Sequence, residues 1–116
     1  MSMRQLISVF KAVADENRLR ILKMLEKRRM CVCELAAVLG ITRPSVSRHL
    51  SLMKSAGLVK NRRNGQWIEY ELCEENINRY APVIQSLLKE WLNESPIIKD
   101  DLKKAKSVRR EKICKS

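Results

Sequence analysis

Residues 30–58 read MCVCELAAVLGITRPSVSRHLSLMKSAGL, two short helices with a tight turn between them. Glu34 to Leu39 carries apolar residues at 35, 36, 38 and 39, enough for one short amphipathic helix. Gly40 ends it, because glycine takes the left-handed conformation past a helix terminus without a Cβ penalty. Ile41 follows as a buried plug. Thr42 is a good N-cap for a second helix, and Pro44 falls in the first turn, where a missing N–H does little harm. That helix is expected to run to about Ala56 and stop at Gly57, with Val46, Leu50 and Met53 as its inner stripe. Its outer positions are Arg43, Ser45, Ser47, Arg48, His49, Ser51 and Lys54, short hydroxyls mixed with cations. Such groups reach phosphates and base edges, and arginine can grip guanine with two bonds. On a lone helix this face would read as solvated surface. The preceding helix and turn supply helix-turn-helix spacing, which favours DNA reading by Thr42 and these seven residues.

The remaining composition agrees. A chain of 116 residues allows one domain with a modest core. Lys and Arg number 24 against 13 Asp and Glu, a net charge of +11, which suggests a polyanionic partner. A membrane surface competes for that role. However, no apolar run approaches the roughly 18 residues of a spanning helix, and the N-terminus lacks a signal peptide's basic start and apolar core. A cytoplasmic protein is expected, with no membrane partner. Four cysteines there argue against a disulfide framework, leaving packing or soft-metal ligation.

The fold expected is mainly α with one β-hairpin, a winged helix-turn-helix of about five helices. Met3 to Val13 is a first helix, with Leu6, Val9, Phe10 and Val13 on one face. Asp15 caps a second, roughly Glu16 to Lys27. Met30 to Val32 reads as short and extended. After Gly57, Leu58 to Arg63 and Gln66 to Leu72 form β-like runs joined by Asn64-Gly65, a type I′ hairpin signal. The basic tip, with Lys60, Arg62, Arg63 and Asn64, is placed to act as a wing against sugar-phosphate or the minor groove. Glu74 to Asn93 is a last strong helix, interrupted or started by Pro82. Its long apolar stripe exceeds what one subunit can cover, so it is expected to pair with the first helix and with a dimer partner. Residues 1–93 then form the DNA-binding and dimerisation domain. Residues 94–116 form a basic, mobile tail in which Asp100 to Lys106 has helical character.

Taken as a set, ADENRLRIL (14–22), MCVCEL (30–35), ITRPSVSRHL (41–50), SAGLV (55–59) and RRNGQWIEYEL (62–72) resemble the ArsR/SmtB family of metal-sensing winged-helix repressors. The resemblance spans roughly residues 3–92. It implies a homodimer that binds double-stranded operator DNA with no cofactor and lets go when a metal binds.

Cys31 and Cys33 match the paired cysteines of the family's C-V-C motif. Thiolates select soft or borderline ions. In the arsenic-sensing type a third cysteine lies three residues after the second; here that place is Ala36, leaving the site one ligand short. Cys73 and Cys114 are the candidates to complete it, Cys73 better suited to a structural role and Cys114 to reaching the site from the tail. The cadmium/lead type draws thiolates from an N-terminal arm, but this chain has no cysteine before Cys31. The zinc and nickel types use Asp, His and Glu of the terminal helix, and the single histidine here is His49. As(III)/Sb(III) is therefore expected as inducer, with Cd(II)/Pb(II) the alternative. Two rival functions stay open. An enzyme would want a base or anion-cradling loop beside its cysteine, and the sequence shows neither. A DNA-binding regulator whose thiols sense oxidants is the other.

Overall fold

The computed structural model describes residues 2–113. Helix α1 (Met3–Val13) begins at Ser2, whose Oγ accepts from the Arg4 and Gln5 amides. Helix α2 (Glu16–Leu25) is capped by Asp15, whose carboxylate accepts from Arg18 N at 3.0 Å. Strand β1 (Met30–Cys31) leads into α3 (Val32–Leu39) and α4 (Arg43–Ser55). Strands β2 (Val59–Asn64) and β3 (Trp67–Leu72) follow, then α5 (Ala81–Glu90), α6 (Pro96–Ser107) and the single turn α7 (Arg110–Ile113). The three strands form an antiparallel sheet in the order β1-β3-β2. One core serves all of it: Val9, Ile21, Leu22, Met24, Met30, Leu35, Val46, Leu50, Met53 and Leu58 are essentially inaccessible to water.

The winged helix-turn-helix is present as the pattern implied, and three details differ. The hairpin pairs Asn64 with Trp67, so its two-residue loop is Gly65-Gln66 rather than Asn64-Gly65. Only Gly65 takes positive φ (64°), the pattern of a type II′ turn, in which a glycine stands first. The last strong helix is shorter than the stretch 74–93. Pro82 sits in its first turn, where it lacks no bond, and Asn78 Oδ1 accepts from Tyr80 N just ahead of it.

The third difference is at the C-terminus. Beyond residue 93, the described residues carry two helices in addition to the five expected. In α6, Ile98, Asp101 and Ala105 are buried against α2 and α3. Arg20 of α2 forms a two-bond pair with Asp101, at 2.7 and 2.8 Å, and Asp101 is 1% exposed. Arg28 adds a bond to Ala105 O at 2.9 Å. An apolar stripe at 98, 102 and 105 gives this charged segment a face to bury. Residues 114–116, and with them Cys114, lie outside the described residues.

Candidate functional site

The exposed face of the α3–α4 unit is built from local sequence. Gly40 adopts φ 70° and closes α3 through its N–H to Ala36 O at 2.8 Å. Thr42 Oγ1 accepts from Ser45 N at 3.2 Å and starts α4. With Val46, Leu50 and Met53 fully buried, α4 is fixed in rotation, and Arg43, Ser47, Arg48, Ser51 and Lys54 point to solvent. Thr42 is exposed beside them. Ser45 is half-buried and accepts from Arg48 Nη2 at 3.2 Å. Lys54 Nζ reaches Asn61 Oδ1 on the wing at 3.4 Å.

His49 is the residue whose surroundings the sequence did not disclose. It is half-buried, and its Nδ1 lies 3.1 Å from Arg18 Nη1. Arginine has no acceptor, so Nδ1 accepts and Nε2 carries the proton. Arg18 is itself held by Ala12 O (2.7 Å) and Lys11 O (3.0 Å), which ties the end of α1 to α4. On the wing, Arg62, Arg63 and Asn64 are exposed at the tip. Arg62 leans toward Glu69 and Glu71 at 3.8 and 4.0 Å, and Arg63 donates to Gly65 O at 3.3 Å.

The two cysteines of the C-V-C stretch sit at the opposite end of α3 from its turn. Cys31 is the last residue of β1 and the N-cap of α3 and is a free thiol; Cys33 lies in the first helical turn and is disulfide-bonded, against the expectation that the cysteines stay free. Their sulfurs are 3.4 Å apart. Glu34 completes the terminus: its Oε1 accepts from Cys31 N at 2.9 Å and from the Cys31 thiol at 3.2 Å. Burial pushes the Cys31 thiol up, and its bond to Glu34 pushes it further, so it holds its proton at neutral pH. Burial opposes ionisation of Glu34, but the Cys31 bonds and the Arg28 and Arg110 charges hold its carboxyl below the ordinary range. Cys73 is fully buried at the end of the wing. Among the described residues, no three His, Cys, Asp or Glu side chains converge as a metal cluster.

Glu34, Glu69 and Arg110 are the residues that sequence reasoning missed. Arg110 Nη2 donates to Glu34 Oε1 at 3.0 Å and Arg110 Nη1 to Glu69 Oε2 at 2.9 Å. The spacing Cys31-x-x-Glu34 fits the pattern of a helix-capping box and was the available signal for Glu34. Nothing local pointed to Arg110, which lies 76 residues from Glu34 in the chain.

The family described as "Bacterial regulatory protein, arsR family" matches residues 15–61. The arsenic resistance transcriptional regulator ArsR1 of Pseudomonas putida is 34% identical over 98 residues, 78% of this chain and 77% of that one. A homodimeric winged helix-turn-helix DNA-binding domain from Mycobacterium bovis is 32% identical, with a TM-score of 0.63 over 76% of this chain and 82% of that one. The cadmium sensor CMTR of Mycobacterium tuberculosis is 32% identical, with a TM-score of 0.58 over 76% and 84%. Among the described residues, no helix is long and apolar enough to cross a membrane.

Proposed function

We propose, from the premise that this chain belongs to the ArsR family of DNA-binding transcriptional repressors, that As(III) or Sb(III) bound by Cys31 and Cys33 releases it from its operator. The family consists of transcriptional regulators, not enzymes. The observation that carries the inducer is the 3.4 Å separation of the two sulfurs, which one ion can bridge once the disulfide that Cys33 carries is reduced. Two bonds of about 2.3 Å, the length of a zinc–thiolate bond, spanning that gap meet at roughly 95°. That is tighter than a tetrahedral site prefers and suits a pyramidal ion with a lone pair. Cd(II) or Pb(II) is the second candidate, favoured by the likeness to a cadmium sensor.

A pyramid needs a third sulfur, and Cys114 is the proposed source. Helix α7 packs on α3, and Ile113 O accepts from Arg43 Nη2 at 2.9 Å. The chain is thus delivered to the α3–α4 unit one residue before Cys114. Cys73 fits a structural role, since it is buried at the wing's end. The proposed DNA contacts are Thr42, Arg43, Ser45, Ser47, Arg48, Ser51 and Lys54 from α4 with its cap, His49 through its outward Nε2–H, and Arg62, Arg63 and Asn64 from the wing. Arsenite titration of the reduced protein tests the inducer. A thiolate-to-arsenic absorption band should saturate at one equivalent per protomer, and no band would refute the reading. Peroxide-driven release reversed by dithiothreitol, without a response to metalloids, would instead establish the thiol redox alternative.

The proposed dimer uses α1 and α5. Phe10 is 51% exposed, Val83 59% and Trp91 53%, with Met3, Ile7 and Leu87 beside them on the same two helices or just past their ends. That much apolar surface on two helices supports an interface there, with a second copy of the chain as the occupant, by likeness to the homodimeric neighbour. Replacing both Phe10 and Val83 by glutamate buries two charges there. The variant should sediment as a monomer and lose most operator affinity; a stable dimer would place the interface elsewhere.

A further inference from the structure

Helix α7 lies outside the residues that match the family, yet it ends the chain of contacts that begins at Cys31. Arg110 holds Glu34 on α3 and Glu69 on β3 at the same time, at 3.0 and 2.9 Å. Its guanidinium also lies 5.9 Å from the centre of the Trp67 ring, at the start of the wing's second strand. Both carboxylates are buried, Glu34 2% and Glu69 7% exposed. The Glu34 oxygen that Arg110 grips is the one bonded to the Cys31 amide and thiol. From the other side, β1 pairs Cys31 directly with Glu69. A planar guanidinium with fixed donors can serve two carboxylates only while their relative position is kept.

We propose that Arg110 is a positioning residue that couples the thiol site to the wing. This rests on the inducer reading above and adds the route by which the site is felt at the DNA. With Cys33 reduced, each thiol displaces a hydroxide of arsenite, its proton leaving with that hydroxide as water, and drawing Cys31 Sγ onto the shared ion removes it from Glu34 Oε1. The carboxylate then shifts with the first turn of α3, and the guanidinium cannot follow it and keep Glu69. A buried carboxylate that loses Arg110 keeps only a longer ion pair, Glu34 with Arg28 at 3.3 Å or Glu69 with Arg62 at 3.8 Å, so the wing strand is favoured to move with the bridge. The same segment ends on Arg43 at the start of the recognition helix, through Ile113 O. Both DNA-facing elements are therefore reached from one turn of chain.

The test compares Arg110→Gln and Glu69→Gln with the unsubstituted full-length protein, using arsenite as the probe and a labelled duplex from upstream of the coding region. Two quantities are read: the thiolate–arsenic absorption band, and the ratio of operator affinity without and with arsenite. Both variants should give the band at unchanged stoichiometry, while the affinity ratio falls by about tenfold, within the range of ordinary allosteric couplings. Glu69→Gln keeps the Arg110–Glu34 pair, so a loss there does not come from an abandoned Glu34. A purely structural role would lower operator affinity equally with and without arsenite, leaving the ratio intact. An intact ratio with a normal band in both variants overturns the coupling alone. Absence of the band from the unsubstituted protein overturns the inducer reading, and the coupling with it.

Discussion

Replacing Cys33 by serine is expected to leave the operator bound whether or not arsenite is present. Cys33 lies half-buried in the first turn of α3, a position where serine is well tolerated. Folding and DNA binding should therefore persist. The inducer response should not, because a hydroxyl is a hard, protonated ligand that cannot replace a thiolate for a soft ion. Cys31, buried and protonated beside Glu34, together with the proposed Cys114 offers two sulfurs where the pyramid needs three. If arsenite weakens operator binding in the unsubstituted protein by the usual allosteric coupling of about 1–3 kcal/mol, or roughly 5- to 150-fold, that factor should fall to about one in the variant. Mobility shift with and without arsenite reads it directly. Release of the serine variant at the concentration that releases the parent would show that the two sulfurs do not carry the signal.

The largest effect on stability is expected from Asp101→Ala. Asp101 is almost fully buried and holds Arg20 with two short bonds, and this hydrogen bond is the main reason the Arg20 guanidinium is held above its ordinary range. Removing the carboxylate strands a cation that is itself only 15% exposed. Breaking one side of such a pair costs about 3 kcal/mol, the lower end of the range for buried pairs because Arg20 retains some contact with water. In a domain of about 100 residues that corresponds to a melting midpoint lower by roughly 10–20 °C. Thermal unfolding followed by circular dichroism measures it. A loss below about 0.5 kcal/mol, typical of surface substitutions, would mean that α6 contributes little to the fold.

The central helix pair was legible because its punctuation is local. Gly40, Thr42 and Pro44 each act within one turn of their own position, and Val46, Leu50 and Met53 fix which way α4 faces. The wing was legible for the same reason, through its alternating β-like runs and a glycine at the turn. The position of that turn was missed by one residue, since Asn64-Gly65 and Gly65-Gln66 both satisfy a two-residue loop and strand pairing chooses between them. The C-terminal helices were hidden by their charge. PIIKDDLKKAKS reads as a solvated tail until Arg20, 81 residues away, neutralises Asp101 and lets the face of Ile98 and Ala105 pack. The thiol site was half legible. C-V-C stands out, but the network beneath it joins residues 34, 69 and 110, and no local pattern relates them. Likewise nothing near His49 announces that Arg18 occupies one of its ring nitrogens.

The most direct test of the account watches DNA and sulfur together. A fluorescent duplex from upstream of the coding region, saturated with reduced protein, is titrated in parallel with As(III), Sb(III), Cd(II), Pb(II) and Zn(II) while anisotropy and thiolate absorption are recorded. The account predicts that As(III) and Sb(III) lower the anisotropy in step with growth of the absorption band, ahead of tetrahedral Cd(II) and Zn(II). An unchanged anisotropy through saturation of that band would contradict it.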